Sequence, residues 1–93
     1  MAKRGRVQMK VNPEQLEQAA KEFVKVSEET DVMVARLGKT IKELESHWSD
    51  AGQQKFYLYY REWNTHMGGF SQALMMVARE LEAIADRFKD ADH

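Results

Sequence analysis

Three histidines, 15 carboxylates and no cysteine are the raw material for any chemistry in this chain of 93 residues. A carboxylate-bridged di-metal site in a helical bundle needs Glu-x-x-His pairs pointing inward. The residues three before His47 and His66 are Leu44 and Trp63, so that motif is absent. Glu43 and Glu62 stand four before those histidines, a spacing that pairs side chains on a helix surface. No serine or threonine has a base and an orienting acid to activate it, and no glycine-rich phosphate loop follows a strand pattern. Lack of cysteine removes disulfides and thiolate metal sites and leaves the redox compartment open. The residues therefore suggest no catalytic, cofactor-binding or metal-binding site, and point away from an enzyme.

The aromatic cluster Phe56, Tyr57, Tyr59, Tyr60 and Trp63 is the other group that invites a functional reading, as a stacking or membrane-inserting surface. Phe56, Tyr60 and Trp63 fall on a long apolar stripe and read as packing residues. Tyr57 and Tyr59 flank that stripe and suit a protein interface, where aromatics with a polar tip are favoured. Leu58, Met75 and Met76 fall off the stripe.

The elements that position these side chains are helices. Upstream, Leu16, Ala20, Phe23, Val34, Leu37, Ile41, Leu44 and Trp48 form a stripe at heptad-compatible spacings, with the weaker Ser27 and Thr30 in its middle. Downstream, Phe56, Tyr60, Trp63, Met67, Phe70, Leu74, Val77, Leu81, Ile84 and Phe88 alternate steps of four and three. A strand would repeat every second residue, so both runs predict long amphipathic helices. Asn12-Pro13-Glu14-Gln15 marks the start of the first: Asn12 caps, Pro13 fits the first helical position, and Gln15 reaches back. That helix is expected from Pro13 to about His47. Asp50 is expected to cap the second, with Gln53 completing a capping box, and this helix to continue to Phe88 or Asp90. Only the polar turn Ser49–Asp50 separates the two, so they fold back as a hairpin. The phase through Met67, Phe70 and Leu74 favours one continuous helix across Gly68-Gly69, although two interior glycines cost about 1 kcal/mol each.

A second column widens each stripe: Ala19, Val26 and Met33 in the first helix, Tyr57, Ser71, Ala78 and Ala85 in the second. Small residues in that column would let another helix approach. A two-helix hairpin has little core of its own, so the fold expected is all-α, a hairpin that dimerises into a four-helix bundle. The surface expected to meet the partner comprises Phe23, Val26, Met33, Phe56, Tyr57, Tyr60, Trp63, Met67, Phe70 and Ala78.

Charge is unevenly placed. Lys3, Arg4, Arg6 and Lys10 make residues 1–12 a basic arm, and all 15 carboxylates lie beyond it. The arm reads as a solvated terminus rather than a phosphate-binding element, and the acidic body argues against nucleic acid. Val7, Met9 and Val11 alternate with polar residues, so the apolar run of a signal peptide is not expected there. No stretch has the length of a membrane span, and stable membrane insertion is not expected.

With these residues laid out, the chain resembles the WXG100 family, the small ESAT-6-like proteins of bacterial type VII (ESX) secretion. The resemblance runs from about Val7 to Asp92. It rests on Val11-Asn12-Pro13-Glu14-Gln15-Leu16, Ala19-Ala20, Phe23, Trp48 at the bend, and Ala51-Gly52-Gln53-Gln54-Lys55-Phe56. The family's Trp-x-Gly turn is here Trp48-Ser49-Asp50, with the nearest glycine at Gly52. Its Tyr-x-x-x-Asp/Glu secretion motif has its counterpart in Phe88-Lys89-Asp90-Ala91-Asp92, which lacks the hydroxyl.

The resemblance implies an antiparallel dimer, with itself or a related hairpin, exported by a route that reads no signal peptide and drawn from a cytoplasmic pool. It implies binding to the ESX membrane ATPase and escort of a larger secreted cargo. Trp48, Ser49, Asp50 and Gly52 then form the bend, Phe88 and Asp92 carry the export signal, and residues 91–93 form a tail after the hairpin of residues 13–90. The competing reading of the same fold is a cytoplasmic adaptor that is never exported.

Overall fold

Two helices account for nearly all of the described residues, as the periodicity requires. The computed structural model describes residues 12–48, 50 and 52–91. Helix α1 spans Pro13–Glu45 and helix α2 spans Gly52–Ala91. No strand occurs among the described residues.

The ends of α1 follow from local hydrogen bonding. Asn12 is extended, its side-chain oxygen accepts the Gln15 N–H at 2.9 Å, and the Gln15 side chain accepts the Asn12 N–H at 3.0 Å. Two backbone donors that the first turn would leave orphaned are thereby paired. At the other end α1 stops at Glu45, two residues short of the expected His47. His47 and Trp48 donate their N–H groups to the carbonyls of Leu44 and Glu45, three residues back, at 3.0 and 3.3 Å. The Ser46 hydroxyl donates to the Glu43 carbonyl at 2.7 Å. These shorter-span bonds tighten the last turn and end the α-helical ladder.

Asp50 opens α2, as expected of a cap: its carboxylate accepts the Gly52 N–H at 2.9 Å and its carbonyl accepts the Gln53 N–H at 3.2 Å. The reciprocal side-chain bond expected from Gln53 is not among the bonds of the described residues. Helix α2 passes through Gly68 and Gly69 without interruption.

The pair makes a slab of 66 × 26 × 14 Å. Its least dimension is about that of one helix with its side chains, so nothing can be enclosed and no large side chain is fully buried. What the hairpin does bury is small. Ala20, Ser27 and Thr30 of α1 and Ser71, Ala78 and Ala85 of α2 have at most 7% of their surface exposed. Ala20 and Ser27 are one heptad apart, as are Ser71, Ala78 and Ala85. At the centre the Ser27 and Ser71 hydroxyls lie 2.8 Å apart, and the Ser27 hydroxyl also reaches the Ser71 carbonyl at 3.2 Å. The Thr30 hydroxyl donates to the Val26 carbonyl of its own helix at 2.7 Å. The Ser27, Ser71 and Thr30 hydroxyls are therefore paired, as burial demands.

In α1 the buried Ala20, Ser27 and Thr30 belong to the expected stripe, whereas in α2 the structure corrects the expected use of the second column. The periodicity suggests that Ala78 lies on a shoulder for another helix; the structure buries it, 1% exposed, within the hairpin. The larger residues of the main stripe flank that contact instead, and Leu37, Leu44, Phe70 and Val77 remain between 38% and 49% exposed. Helix separation depends on the side chains at the contact. Alanine and serine allow the closest approach over many turns, whereas phenylalanine in the same column would hold the backbones apart.

The seam therefore tolerates added volume poorly. Ala20→Leu should lower stability by about 1–3 kcal/mol through overpacking, whereas Met76→Ala, at a position 67% exposed, should change it by less than about 0.5 kcal/mol. Thermal and urea unfolding followed by circular dichroism compare the two. An Ala20→Leu variant as stable as the parent chain would refute the small-residue seam.

Candidate functional site

The bend is built around Trp48. Its indole Nε1 donates to the Asp50 carboxylate at 2.7 Å, and the same oxygen accepts the Gly52 N–H. One carboxylate thus ties the tryptophan to the first turn of α2 with charge-assisted bonds. A Cβ on Gly52 would meet that carboxylate oxygen at 3.3 Å and the indole at 3.7 Å, so glycine lets both close down on the helix start. Ser49 lies outside the described residues.

From Trp48 an aromatic series runs up α2. The Trp48 and Phe56 rings are 5.3 Å apart and tilted by 46°. Phe56 and Tyr60 are 6.2 Å apart and nearly parallel, and Tyr60 and Trp63 are 5.9 Å apart. These separations lie within the range in which aromatic pairs attract beyond simple burial. The series borders an open apolar hollow of about 330 Å³ that Leu37, Ile41, Phe56, Tyr59, Tyr60 and Trp63 line. Tyr59 is 60% exposed at its rim. The hollow is chemically suited to bind apolar side chains, and no ionisable group besides the tyrosines borders it.

Of the expected partner-facing residues, Phe23, Val26 and Met33 on α1 and Phe56, Tyr57, Tyr60, Trp63 and Met67 on α2 are half-buried, and Phe70 is exposed. Ala78 belongs to the hairpin seam instead. Tyr57 departs from a simple interface role, because its hydroxyl is buried and has no hydrogen-bond partner. The apolar stripe alone gives no sign of this.

The two halves of the expected export apparatus sit at opposite ends of the hairpin. Trp48 is at the bend, while Phe88 lies half-buried near the end of α2. The 36 residues from Gly52 to Phe88 rise by about 54 Å, so they cannot meet within one chain. Asp92 lies outside the described residues. Beside Phe88, Lys89 donates to the Glu17 carboxylate of α1. That hydrogen bond raises the Lys89 pKa above its ordinary value. The pair clasps the open end of the hairpin at a solvated surface, where such bonds contribute little to stability.

His47 and His66 are exposed, and His93 lies outside the described residues. Among the described residues no histidines and carboxylates gather into a metal-binding group. No described helix is long and apolar enough to cross a membrane.

Comparison with known proteins agrees with this architecture. The family described as "Proteins of 100 residues with WXG" matches residues 8–93. Among solved structures, the secreted protein EsxB from Bacillus anthracis str. Sterne is 30% identical and superposes with a TM-score of 0.84, covering 92% of this chain and 98% of that one. A second, wild-type crystal form of EsxB from the same organism superposes at 0.83 with 30% identity, covering 89% of each chain. A search of curated protein sequences finds no match. With a family match over nearly its whole length and a shared hairpin fold, the chain belongs to the WXG100 family, the small ESAT-6-like helical proteins of type VII (ESX) secretion.

Proposed function

We propose that the protein is exported by a type VII secretion system, or escorts a larger cargo to one, and that it acts by protein–protein binding as an antiparallel dimer. The observation that carries this reading is the apolar surface left outside the hairpin seam. Leu37, Leu44, Tyr59, Phe70 and Val77 are each at least 38% exposed, and a slab 14 Å thick has no means of covering them itself. A second hairpin laid on that face would complete a four-helix bundle and remove the patch from water. The partner is a second copy or a related hairpin.

Antiparallel pairing is favoured by the positions of the two expected signals. Trp48 and Phe88 terminate opposite ends of the molecule, and an antiparallel neighbour would bring one chain's bend beside the other's Phe88 and Asp92. A composite surface of that kind would suit recognition by the ESX membrane ATPase. The secreted character of EsxB supports export of this chain. A cytoplasmic pool before export follows from synthesis inside the cell, and the competing reading is an adaptor that remains there.

Three outcomes test these proposals. The protein should accumulate in host culture medium only when the ESX membrane ATPase is intact; absence from the medium in both backgrounds would leave the adaptor reading. Trp48→Ala should destabilise the bend by about 1–2 kcal/mol, less than a fully buried aromatic would cost, and weaken the dimer or block export. Unchanged native mass, melting temperature and export in that variant would remove Trp48 from the mechanism. Phe88→Ala combined with Asp92→Ala should stop export while helicity by circular dichroism stays intact. Normal appearance of that double variant in the medium would rule out the C-terminal signal.

A further inference from the structure

We propose that the groove between α1 and α2 on the side away from Trp63 receives an acidic amphipathic helix of a partner protein. This surface lies on the other side of the hairpin from the proposed dimer face: the two meet at Ile41 and Tyr60, which border both hollows, and it takes in Tyr57, which the sequence alone assigns to the dimer. At about 100° of rotation per residue, Arg61 lies on the opposite side of α2 from both Tyr59 and Trp63.

Three independent features converge there. First, a groove of about 680 Å³ runs between the helices near the bend, bordered by Lys39, Lys42 and Glu45 of α1 and by Tyr57 and Arg61 of α2. An adjoining hollow shares Tyr57 and Arg61 and adds Lys55 and Leu58. Four exposed cations thus surround these hollows against the single carboxylate of Glu45. The ion pairs among the described residues join Arg87 to Glu80 and Lys89 to Glu17, and involve none of the four. Second, the Tyr57 hydroxyl is buried without a hydrogen-bond partner among the described residues, a condition that is unfavourable until a partner arrives. Rotation of the Tyr57 side chain towards the groove would bring that hydroxyl to the surface, where an entering carboxylate would accept its hydrogen bond. Third, Gly68 continues the same side of α2 towards the middle of the hairpin, and a Cβ added to it would meet nothing within 4 Å. Glycine in a helix interior carries a propensity cost of about 1 kcal/mol, and one use for it is close approach of another backbone.

A helix fits this surface better than an extended polyanion. The groove runs between two long helices, its lining includes Ile41 and the ring of Tyr60, and Leu58 stands 57% exposed beside it. Helix-in-groove recognition uses this combination of an apolar stripe and flanking charge.

The test uses the full chain and a fluorescein-labelled synthetic helical peptide with a leucine–alanine stripe flanked by glutamates. Fluorescence anisotropy should show saturable binding that weakens by about tenfold or more in the double variant Lys39→Glu with Arg61→Glu, while native mass stays unchanged. Tyr57→Phe should weaken binding several-fold yet leave the melting temperature unchanged or higher, because the hydroxyl removed had no partner. No binding to the parent chain, or binding indifferent to both variants, would overturn the proposal. So would a lower melting temperature for Tyr57→Phe, or equal binding of heparin, of phosphatidylglycerol vesicles or of a lysine-flanked control peptide.

Discussion

Close approach of two helices over many turns requires small side chains between them, and the rest of this molecule follows from that constraint. Ala20 and Ser27 meet a facing column of Ser71, Ala78 and Ala85, with the paired Ser27 and Ser71 hydroxyls at the centre. Such a seam gains little from transfer of apolar area, because alanine and serine have little to transfer. Its contribution comes from dense contact between backbones and from two hydroxyls that satisfy each other in a place water does not reach.

Because the small residues occupy the line of contact, the large ones are displaced to its flanks. Phe56, Trp63, Phe70 and Val77 cover the sides of the seam without being enclosed by it. An aromatic series continues this flank to the bend, where Trp48 is held by the carboxylate that also caps α2. Trp48, Asp50 and Gly52 are joined by local hydrogen bonds, and the flank is left apolar by the close approach of the helices. Together they leave an apolar flank that the hairpin does not cover, in a chain that belongs to the WXG100 family.

The opposite side has a different character. Its cations lack described partners, and the buried Tyr57 hydroxyl is unpaired. The two sides thus divide the surface chemically: a largely apolar flank suited to a similar hairpin, and a cationic groove suited to an acidic one. Gly68, which has no steric neighbour to accommodate within its own chain, belongs to the second side.

Much of the fold was legible in the residues because it is governed by short-range rules. The Asn12-Pro13-x-Gln15 start, the capping carboxylate of Asp50 and the 3–4 spacing of apolar residues each act within a turn or two of helix, and all three appear in the structure. The end of α1 was misplaced by two residues because the Ser46 hydroxyl and the three-residue backbone bonds compete with the helix locally. The larger departure concerned Ala78. Periodicity defines neighbouring columns on a helix, but which column faces the other helix depends on how near the two backbones come. In α2 hydrophobicity ranks phenylalanine and valine above alanine and serine, so the sequence marks the bulky column as the seam; close packing selects the small one, Ser71, Ala78 and Ala85. The helices and their turn were set by the chain itself, whereas the assignment of inside and outside, and with it the unpaired Tyr57 hydroxyl, was settled only when the two surfaces met.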